Sequence, residues 1–460
     1  MNTDPAVEAE LDELARLVPG ARLVTDPGIV AGFLHDQVTA LPAGSPRGVV
    51  MPRSTDDVVA VMAWATRHRV PVVPRGAGTG LAGGATAIDG SLIVCLSRMT
   101  TIREIDPQNR VAVAEAGVIT ADVDRAAREV GLMYAPDPSS VELSTIGGNV
   151  ATNAGGLRCV KYGVTRDSVL GVEAVLADGR VLSTGGRTIK NVAGYDLTGL
   201  LVGSEGTLGI ITSATLRLLP APPRDPVTLV GGFPSLVAAA SAVSAVVAAG
   251  LRPSLLELLD HATLRAIDDW KHLGLSGTEA MLIAQFDDAD ADTHAEQVTA
   301  LFTAAGADDV AVSSDPRESA QLLEVRRLAY PAAERLGRCL VEDVGVPVSR
   351  LADMVARIEQ AAERHGVQVV TVAHAGDGNL HPTFVFDSPD GAVPQSVWRA
   401  ADDVFHAALE LGGTLTGEHG VGLLKQRWLP DQLGPVGTAV NRAIKDALDP
   451  LGLLNPGRGI

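Results

Sequence analysis

The stretch Arg75-Gly-Ala-Gly-Thr-Gly-Leu-Ala-Gly-Gly84 decides the fold of the amino-terminal half of this chain. It places five glycines in ten residues directly after Val70-Pro-Val-Val-Pro74, which has the composition of a short β-strand. Glycine allows backbone N–H groups to turn inward and form a concave nest for phosphate oxygens. The stretch therefore predicts a loop that binds a diphosphate group.

Other phosphate-binding loops fit this stretch less well. No Gly-Lys-Ser or Gly-Lys-Thr follows it, which argues against a P-loop, and no acidic residue ends a second strand as in a nicotinamide-binding Rossmann unit. Upstream, 48–52 has the pattern of a strand and 55–68 that of a helix capped by Ser54. The loop thus follows a β-α-β unit, and a flexible surface turn is the alternative for a single glycine cluster.

Two further glycine-rich stretches make a surface turn less plausible. Thr145–Gly156 combines small residues with Asn149 and Asn153, which offer both donors and acceptors to a flat ring or an extended cofactor. Gly203–Thr212 follows a hairpin predicted to turn at Asp178-Gly179 and contains Glu205, either a cofactor ligand or a turn carboxylate. A run of this kind is costly to order without a ligand.

With these three stretches in this order, residues 45–220 resemble the flavin domain of the vanillyl-alcohol oxidase and p-cresol methylhydroxylase superfamily. The resemblance implies FAD, with its pyrophosphate on the 75–81 loop and its ribityl and ring portions along 138–163. Some members hold the flavin covalently on a histidine of the first loop, where this chain has Thr79-Gly80, so FAD is expected to be non-covalent. The expected cofactor-binding residues are Pro74, Arg75, Gly76, Ala77, Gly78, Thr79, Gly80, Leu81, Pro138, Gly147, Gly148, Asn149, Asn153, Ala154, Gly156, Tyr162, Gly163, Glu205, Gly206, Ile210, Ile211 and Asn455.

A histidine-bearing hairpin is predicted in the second half, where His374-Ala-Gly-Asp-Gly-Asn-Leu-His381 separates two apolar runs. Because side chains alternate along strands, the two imidazoles should converge at the turn. Glu418, in Gly-Glu-His-Gly, is the candidate third ligand. Two histidines and a carboxylate suit Zn²⁺ with an open position, and also Mn²⁺ or Fe²⁺; hydrogen-bonded turn histidines are the alternative.

With this second half included, the chain resembles the FAD-linked D-2-hydroxy acid dehydrogenases, among them D-lactate dehydrogenases, the D subunit of glycolate oxidase and D-2-hydroxyglutarate dehydrogenases. The resemblance implies that His374, His381 and Glu418 bind the metal and that His419 is the base. Arg326 aligns with an arginine that grips the substrate carboxylate, and a surface helix charge is its alternative role. Flavin N5 would take the hydride from C2.

The expected fold class is α+β. A two-lobed FAD-binding domain of the p-cresol methylhydroxylase type is followed by an α/β substrate domain with a mainly antiparallel sheet. The predicted divisions are 1–44 for an N-terminal helix and lead-in, 45–220 for the FAD-binding domain, 221–436 for the substrate and metal-binding domain, and 437–460 for a helix and tail that returns to the flavin domain.

Composition limits partners and location. A net charge of −18 argues against nucleic acid and against electrostatic binding to anionic lipid. Three scattered cysteines encode no iron–sulfur cluster, and no signal peptide or membrane span is visible, so a cytoplasmic protein with at most peripheral membrane contact is expected. Electrons would pass to an external quinone, cytochrome or electron-transfer flavoprotein. A homodimer and a partner subunit both remain open.

The expected activity is oxidation of a CH–OH group in a small D-2-hydroxy acid, with D-lactate or glycolate favoured. The resemblance implies that a lysine helps hold the distal carboxylate in the D-2-hydroxyglutarate dehydrogenases, and the corresponding stretch Cys339–Pro347 has none. Glu342 and Asp343 would repel a second carboxylate if they faced the site, although Arg338 or Lys425 could supply the missing charge. D-2-hydroxyglutarate oxidation, a flavin subunit active only within a complex, and a metal-dependent hydrolase with structural glycine loops are the alternatives. Reductases fed by nicotinamide cofactors fit less well, because they lack the hairpin and the Gly-Glu-His-Gly turn.

Overall fold

The computed structural model describes residues 5–275, 277–389 and 391–459. They divide into two compact units. The first unit holds 1–156, 163–221 and 418–460, and the second holds 157–162 and 222–417. The sequence-based division assigns 418–436 to the substrate domain, whereas these residues belong to the first unit.

Helices occur in both units. Over the described ranges the α-helices are α1 (Pro5–Leu17), α2 (Pro27–Val30), α3 (Thr55–His68), α4 (Thr120–Arg128), α5 (Ile146–Thr152), α6 (Cys159–Tyr162), α7 (Leu197–Leu201), α8 (Leu236–Ala248), α9 (His261–Lys271), α10 (Ala291–Ala304), α11 (Pro316–Leu336), α12 (Leu351–His365), α13 (Gln395–Glu410) and α14 (Leu429–Leu448). Within the described part, none of them is both long and apolar enough to cross a membrane.

Strands form the centre of each unit. Over the same ranges they are β1 (Arg22–Val24), β2 (Gly48–Met51), β3 (Val72–Arg75), β4 (Leu92–Cys95), β5 (Ile102–Asp106), β6 (Val111–Glu115), β7 (Leu132–Met133), β8 (Val169–Val175), β9 (Val181–Ser183), β10 (Ile210–Arg217), β11 (Leu219–Pro220), β12 (Val227–Phe233), β13 (Leu255–Asp260), β14 (Ala280–Phe286), β15 (Asp309–Ser313), β16 (Arg338–Val341), β17 (Val344–Gly345), β18 (Gln368–His374) and β19 (Asn379–Phe386).

The first unit contains two main sheets. One has the order β1-β2-β4-β3, with β2, β4 and β3 parallel, and the other is antiparallel with the order β5-β6-β10-β8-β9. The predicted helix 55–68 is α3, and Ser54 caps it by accepting a hydrogen bond from the Asp57 N–H at 3.1 Å. The glycine loop begins where β3 ends, as predicted. The C-terminal tail pairs with this unit, because Leu454 bridges to Val72.

The second unit is built on one antiparallel sheet with the order β15-β12-β14-β13-β18-β19-β16, to which β17 adds by pairing with β19. This confirms the predicted α+β class and the mainly antiparallel second sheet. The predicted hairpin is formed by β18 and β19. Strand β13 pairs with β18 of this hairpin. No strand was predicted from the sequence at β13.

Candidate functional site

A pocket in the first unit is lined by most of the residues predicted to bind the cofactor. The glycine loop, the small-residue stretch of 145–155 and the start of β10 form its walls. The predicted residues that line it are Pro74, Arg75, Gly76, Ala77, Gly78, Thr79, Gly80, Leu81, Pro138, Gly147, Gly148, Asn149, Ala154, Glu205, Gly206, Ile210 and Ile211.

The first loop presents backbone donors rather than side chains. Across 76–81, no backbone N–H donates a hydrogen bond to any group in the described part of the chain. Unpaired N–H groups are costly when kept from water and unusual in ordered backbone, so a run of six is suited to an anionic ligand. These residues fit the pyrophosphate of FAD.

Close packing explains why the loop needs glycine. A Cβ at Gly76 would collide with the Thr145 hydroxyl and would come within 3.6 Å of the Gly148 backbone. At Gly78 the backbone is left-handed, with φ +79°, and lies against the guanidinium of Arg75. That guanidinium donates to the His35 carbonyl at 2.8 Å and to that of Phe33 at 3.4 Å. The Arg75 guanidinium thus links the loop at Gly78 to the backbone at Phe33 and His35.

Five of the predicted cofactor ligands do not line this pocket. Asn153 accepts a hydrogen bond from the Arg166 N–H at 2.8 Å, and Asn455 donates to the carbonyls of Gly84 and Glu205. Tyr162 belongs to the second unit, where its hydroxyl donates to Asp287 at 2.7 Å. The other two are Gly156 and Gly163, and both have positive φ.

Glu205 is a half-buried carboxylate in the pocket wall. Its two oxygens accept hydrogen bonds from the N–H groups of Val421 and Gly422, each at 2.7 Å. Burial raises the pKa of Glu205, while these two donors and the charges of Arg458 and Lys425 oppose that rise. Glu205 therefore ties the segment that follows Glu418-His419 to the wall of this pocket.

The Gly-Glu-His-Gly turn contributes two side chains to the same pocket. Glu418 and His419 both line it, and His419 Nε2 lies 3.9 Å from the Glu418 carboxylate. Glu418 also packs against Gly155, where a Cβ would collide with its carboxylate. An imidazole placed here can accept a proton near neutral pH.

Some pocket residues were not predicted from the sequence. Asp36 is buried and accepts hydrogen bonds from the N–H of Val38 at 3.0 Å and of Ala85 at 3.5 Å; its burial raises its pKa. Ser139, Ser140 and Thr145 also line the pocket. No sequence pattern marks Asp36 as a pocket residue. The three hydroxyl residues, in contrast, lie within 138–163, the stretch that the resemblance implies is cofactor-binding.

The two hairpin histidines converge in the second unit, as predicted. His374 pairs with Asn379 and His381 pairs with Val372, which places both imidazoles on one face of the sheet. Their rings are edge to face with centroids 4.9 Å apart, and a ligand nitrogen of one lies within 4.8 Å of a ligand nitrogen of the other. Both side chains are buried.

A buried glutamate links His374 to Arg326. Glu257 on β13 is fully buried; its Oε1 lies 2.7 Å from His374 Nδ1, within hydrogen-bond distance, and its Oε2 accepts from Arg326 Nε at 2.7 Å. Burial raises the pKa of Glu257, but the opposing effects of His374 and Arg326 are together larger and hold it below its ordinary value. The alternative role of Arg326 as a surface charge is not what the structure describes, since its side chain is only 18% exposed.

Asp343 organises the other side of the hairpin. It accepts hydrogen bonds from the Asn379 amide, from the Thr416 hydroxyl and from the Gly417 N–H at 2.9 Å. The Asp343 carboxylate is fully buried and lies 3.9 Å from His381 Nδ1. Gly417 directly precedes Glu418 in the chain, so Asp343 fixes the backbone from which Glu418 extends.

Comparisons with known proteins identify the relatives of this chain. Residues 46–185 match a model described as an FAD binding domain, and residues 222–458 match one described as FAD linked oxidases, C-terminal domain. The glycolate oxidase subunit GlcD of Bacillus subtilis is 44% identical over 419 residues, which is 90% of this chain and 88% of that protein. A D-lactate dehydrogenase of Archaeoglobus fulgidus is 36% identical over 455 residues, covering 97% of this chain and 98% of that one.

The fold has a solved counterpart at low sequence identity. The crystal structure of p-cresol methylhydroxylase with substrate bound superposes with a TM-score of 0.79 at 18% identity, covering 99% of this chain and 97% of that chain. It shows the fold alone. The two domain matches and the long alignments to relatives above 30% identity show more: the chain belongs to the FAD-linked oxidase family and is an FAD-binding oxidoreductase.

Proposed function

We propose that this protein oxidises a small D-2-hydroxy acid, D-lactate or glycolate, to the corresponding 2-oxo acid. The observation that carries the proposal is the position of His419 on the wall of the pocket that the FAD-binding loop also lines. A base beside a flavin site is what removal of a hydroxyl proton requires. The names of the relatives, glycolate oxidase subunit and D-lactate dehydrogenase, supply the substrate class.

Each residue has a defined task in this reaction. His419 accepts the hydroxyl proton, and Arg326 holds the substrate carboxylate through the terminal nitrogens of its guanidinium. Bound FAD, held without a covalent bond, would supply the two-electron acceptor. Residues 76–81 bind its pyrophosphate through backbone N–H groups. The electrons then leave to an external quinone, cytochrome or electron-transfer flavoprotein.

We further propose that His374, His381 and Glu418 bind a divalent metal, with Zn²⁺ favoured over Mn²⁺ or Fe²⁺. Two convergent, buried imidazoles and a carboxylate fit the ligand preferences of such an ion. A cation bound there would lower the pKa of a substrate hydroxyl. Glu257 holds His374, and Asp343 holds the backbone before Glu418, so the ligands are supported by buried acceptors.

Substrate size is inferred from the hydrogen-bond partners of Asp343 and from the positions of Arg338 and Lys425. Asp343 is occupied by three donors, and the stretch 339–347 has no lysine that would attract a second carboxylate. Arg338, on an edge strand, is exposed, and Lys425 is fully buried in the first unit beside Glu205. A monocarboxylate therefore fits better than D-2-hydroxyglutarate.

A second candidate is a flavin-binding subunit that is active only within a larger complex. The word "subunit" in the name of the Bacillus subtilis relative favours it. In that case the isolated chain would bind FAD and would still need a partner before hydroxy acids could reduce it.

Anaerobic titration of the purified yellow protein separates these candidates. D-Lactate or glycolate is expected to bleach the flavin absorbance of the isolated chain, with D-2-hydroxyglutarate and L-lactate far slower. Fastest bleaching by D-2-hydroxyglutarate would overturn the substrate assignment. Bleaching by none of the acids until a partner is added would favour the subunit, and a colourless protein that binds no FAD would contradict both.

A further inference from the structure

We infer that Glu257 is a positioning residue that fixes His374 as the Nδ1–H tautomer, so that Nε2 becomes the metal ligand, and that also aligns Arg326. The inference rests on the proposed function, because it concerns how the proposed metal ligand and the proposed carboxylate-binding arginine are held. Glu257 is neither one of the three proposed metal ligands nor part of the Gly-Glu-His-Gly turn.

The backbone places Glu257 opposite His374. Strands β13 and β18 are antiparallel neighbours, and Glu257 is the direct register partner of His374. Directly opposed residues project from the same face of a sheet, so the glutamate reaches the imidazole with little freedom to move. The Oε1 to Nδ1 distance of 2.7 Å is that of a strong hydrogen bond.

The bond at the second oxygen of Glu257 indicates which atom donates in the bond between Glu257 and His374. Arg326 reaches it from α11 with Nε at 2.7 Å, and a guanidinium can only donate. A carboxylate that is fully buried between an arginine and an imidazole accepts from both of them. His374 therefore carries a proton on Nδ1, and Nε2 is the nitrogen that would coordinate a metal.

One carboxylate thereby serves two functional groups. The bond to Arg326 uses Nε and fixes the plane of the guanidinium, while the terminal nitrogens carry the other four N–H groups. In the proposed reaction His374 acts at the hydroxyl end of the substrate and Arg326 at its carboxylate. Loss of Glu257 should therefore weaken metal binding and substrate binding together.

The test is metal affinity in a Glu257→Gln variant of the FAD-loaded protein, measured with Zn²⁺ by competition against a chromogenic chelator. Gln keeps the size of the side chain and removes its charge. The expected result is about 10- to 100-fold weaker Zn²⁺ binding, the usual effect of losing such a supporting partner. At saturating Zn²⁺ the KM for the hydroxy acid should remain raised, because Arg326 has lost its anchor.

Asp260→Asn is the matched control. Asp260 is also buried, lies on the same strand β13, and accepts from the N–H groups of Thr263 and Thr371 instead of from a histidine. Its substitution should leave Zn²⁺ affinity and KM unchanged. Retained FAD absorbance and a single cooperative thermal unfolding transition check that each variant is folded.

His374→Asn distinguishes failure of this inference from failure of the proposed metal site. If His374→Asn loses Zn²⁺ and Glu257→Gln binds it like wild type, the role of Glu257 is overturned and the metal site stands. If wild type and His374→Asn bind Zn²⁺ equally, the metal site itself is wrong.

A measurement on the wild-type protein keeps the inference testable even if Glu257→Gln does not fold. In ¹⁵N-histidine spectra, the signals assigned to His374 by their loss in His374→Asn should be those of an Nδ1-protonated ring. Addition of Zn²⁺ should perturb Nε2. A ring protonated at Nε2, or a metal-perturbed Nδ1, would overturn the inference.

Discussion

At the scale of single residues, the site depends on a few side chains whose partners are fixed by burial. Glu257 and Asp343 are fully buried and accept hydrogen bonds at both carboxylate oxygens. His419 lines the cofactor pocket and has Glu418 as its chain neighbour. His419 can act as the base because it is an imidazole and because it lies in the wall of this pocket.

Replacing His419 by Asn should slow flavin reduction by orders of magnitude, because Asn cannot accept the hydroxyl proton. FAD binding should persist, since the glycine loop and its backbone donors are unchanged. Rapid-mixing absorbance at the flavin band measures the reduction rate, and FAD release on heating measures the cofactor content. Near-normal reduction by the variant would remove His419 from the role of base.

The sequence predicted some of these residues and missed others for physical reasons. The hairpin histidines follow from alternation along two strands, which is a local pattern. Glu257 lies inside Leu255-Leu-Glu-Leu-Leu-Asp260, an apolar run whose periodicity does not separate a strand from a helix. Its meeting with Arg326 joins positions 69 apart in the chain, and no local pattern encodes that contact.

At the scale of elements, loops are held in place by side chains of other segments. Glu205 holds the backbone at Val421 and Gly422, and Gly155 gives room for Glu418. The glycine loops, helix α3 and the β18-β19 hairpin could be predicted because their turn residues and caps are local. Strand β13 and helix α9 could not be predicted in the same way. The place of β13 in the sheet and the packing of α9 depend on contacts between residues distant in sequence.

Replacing Glu205 by Ala should destabilise the first unit by about 3 kcal/mol, since two half-buried hydrogen bonds to its carboxylate are lost. The turn that carries His419 would loosen, so flavin reduction should slow more than FAD binding weakens. Thermal unfolding and rapid-mixing reduction measure the two effects. Glu104→Gln is the control, because it removes an exposed ion pair with Arg187 and should change little. Wild-type reduction by the Glu205 variant would show that the Glu205 bonds do not position His419.

At the scale of the whole molecule, residues of the proposed reaction come from both compact units. The first unit contributes the FAD pocket, Glu418 and His419, and the second contributes His374, His381 and Arg326. The family match spans both units, from residue 46 to residue 458 with a gap between the two models. Both family matches therefore include residues of the proposed reaction.

The most direct measurement is the anaerobic rate of flavin reduction in the isolated, FAD-loaded chain, with D-lactate compared against D-lactate deuterated at C2. The proposed reaction breaks the C2–H bond as the flavin is bleached. It therefore predicts stoichiometric bleaching, pyruvate as product and a slower rate with the deuterated acid. Absence of bleaching by D-lactate and glycolate alike, with FAD fully bound, would contradict the central claim.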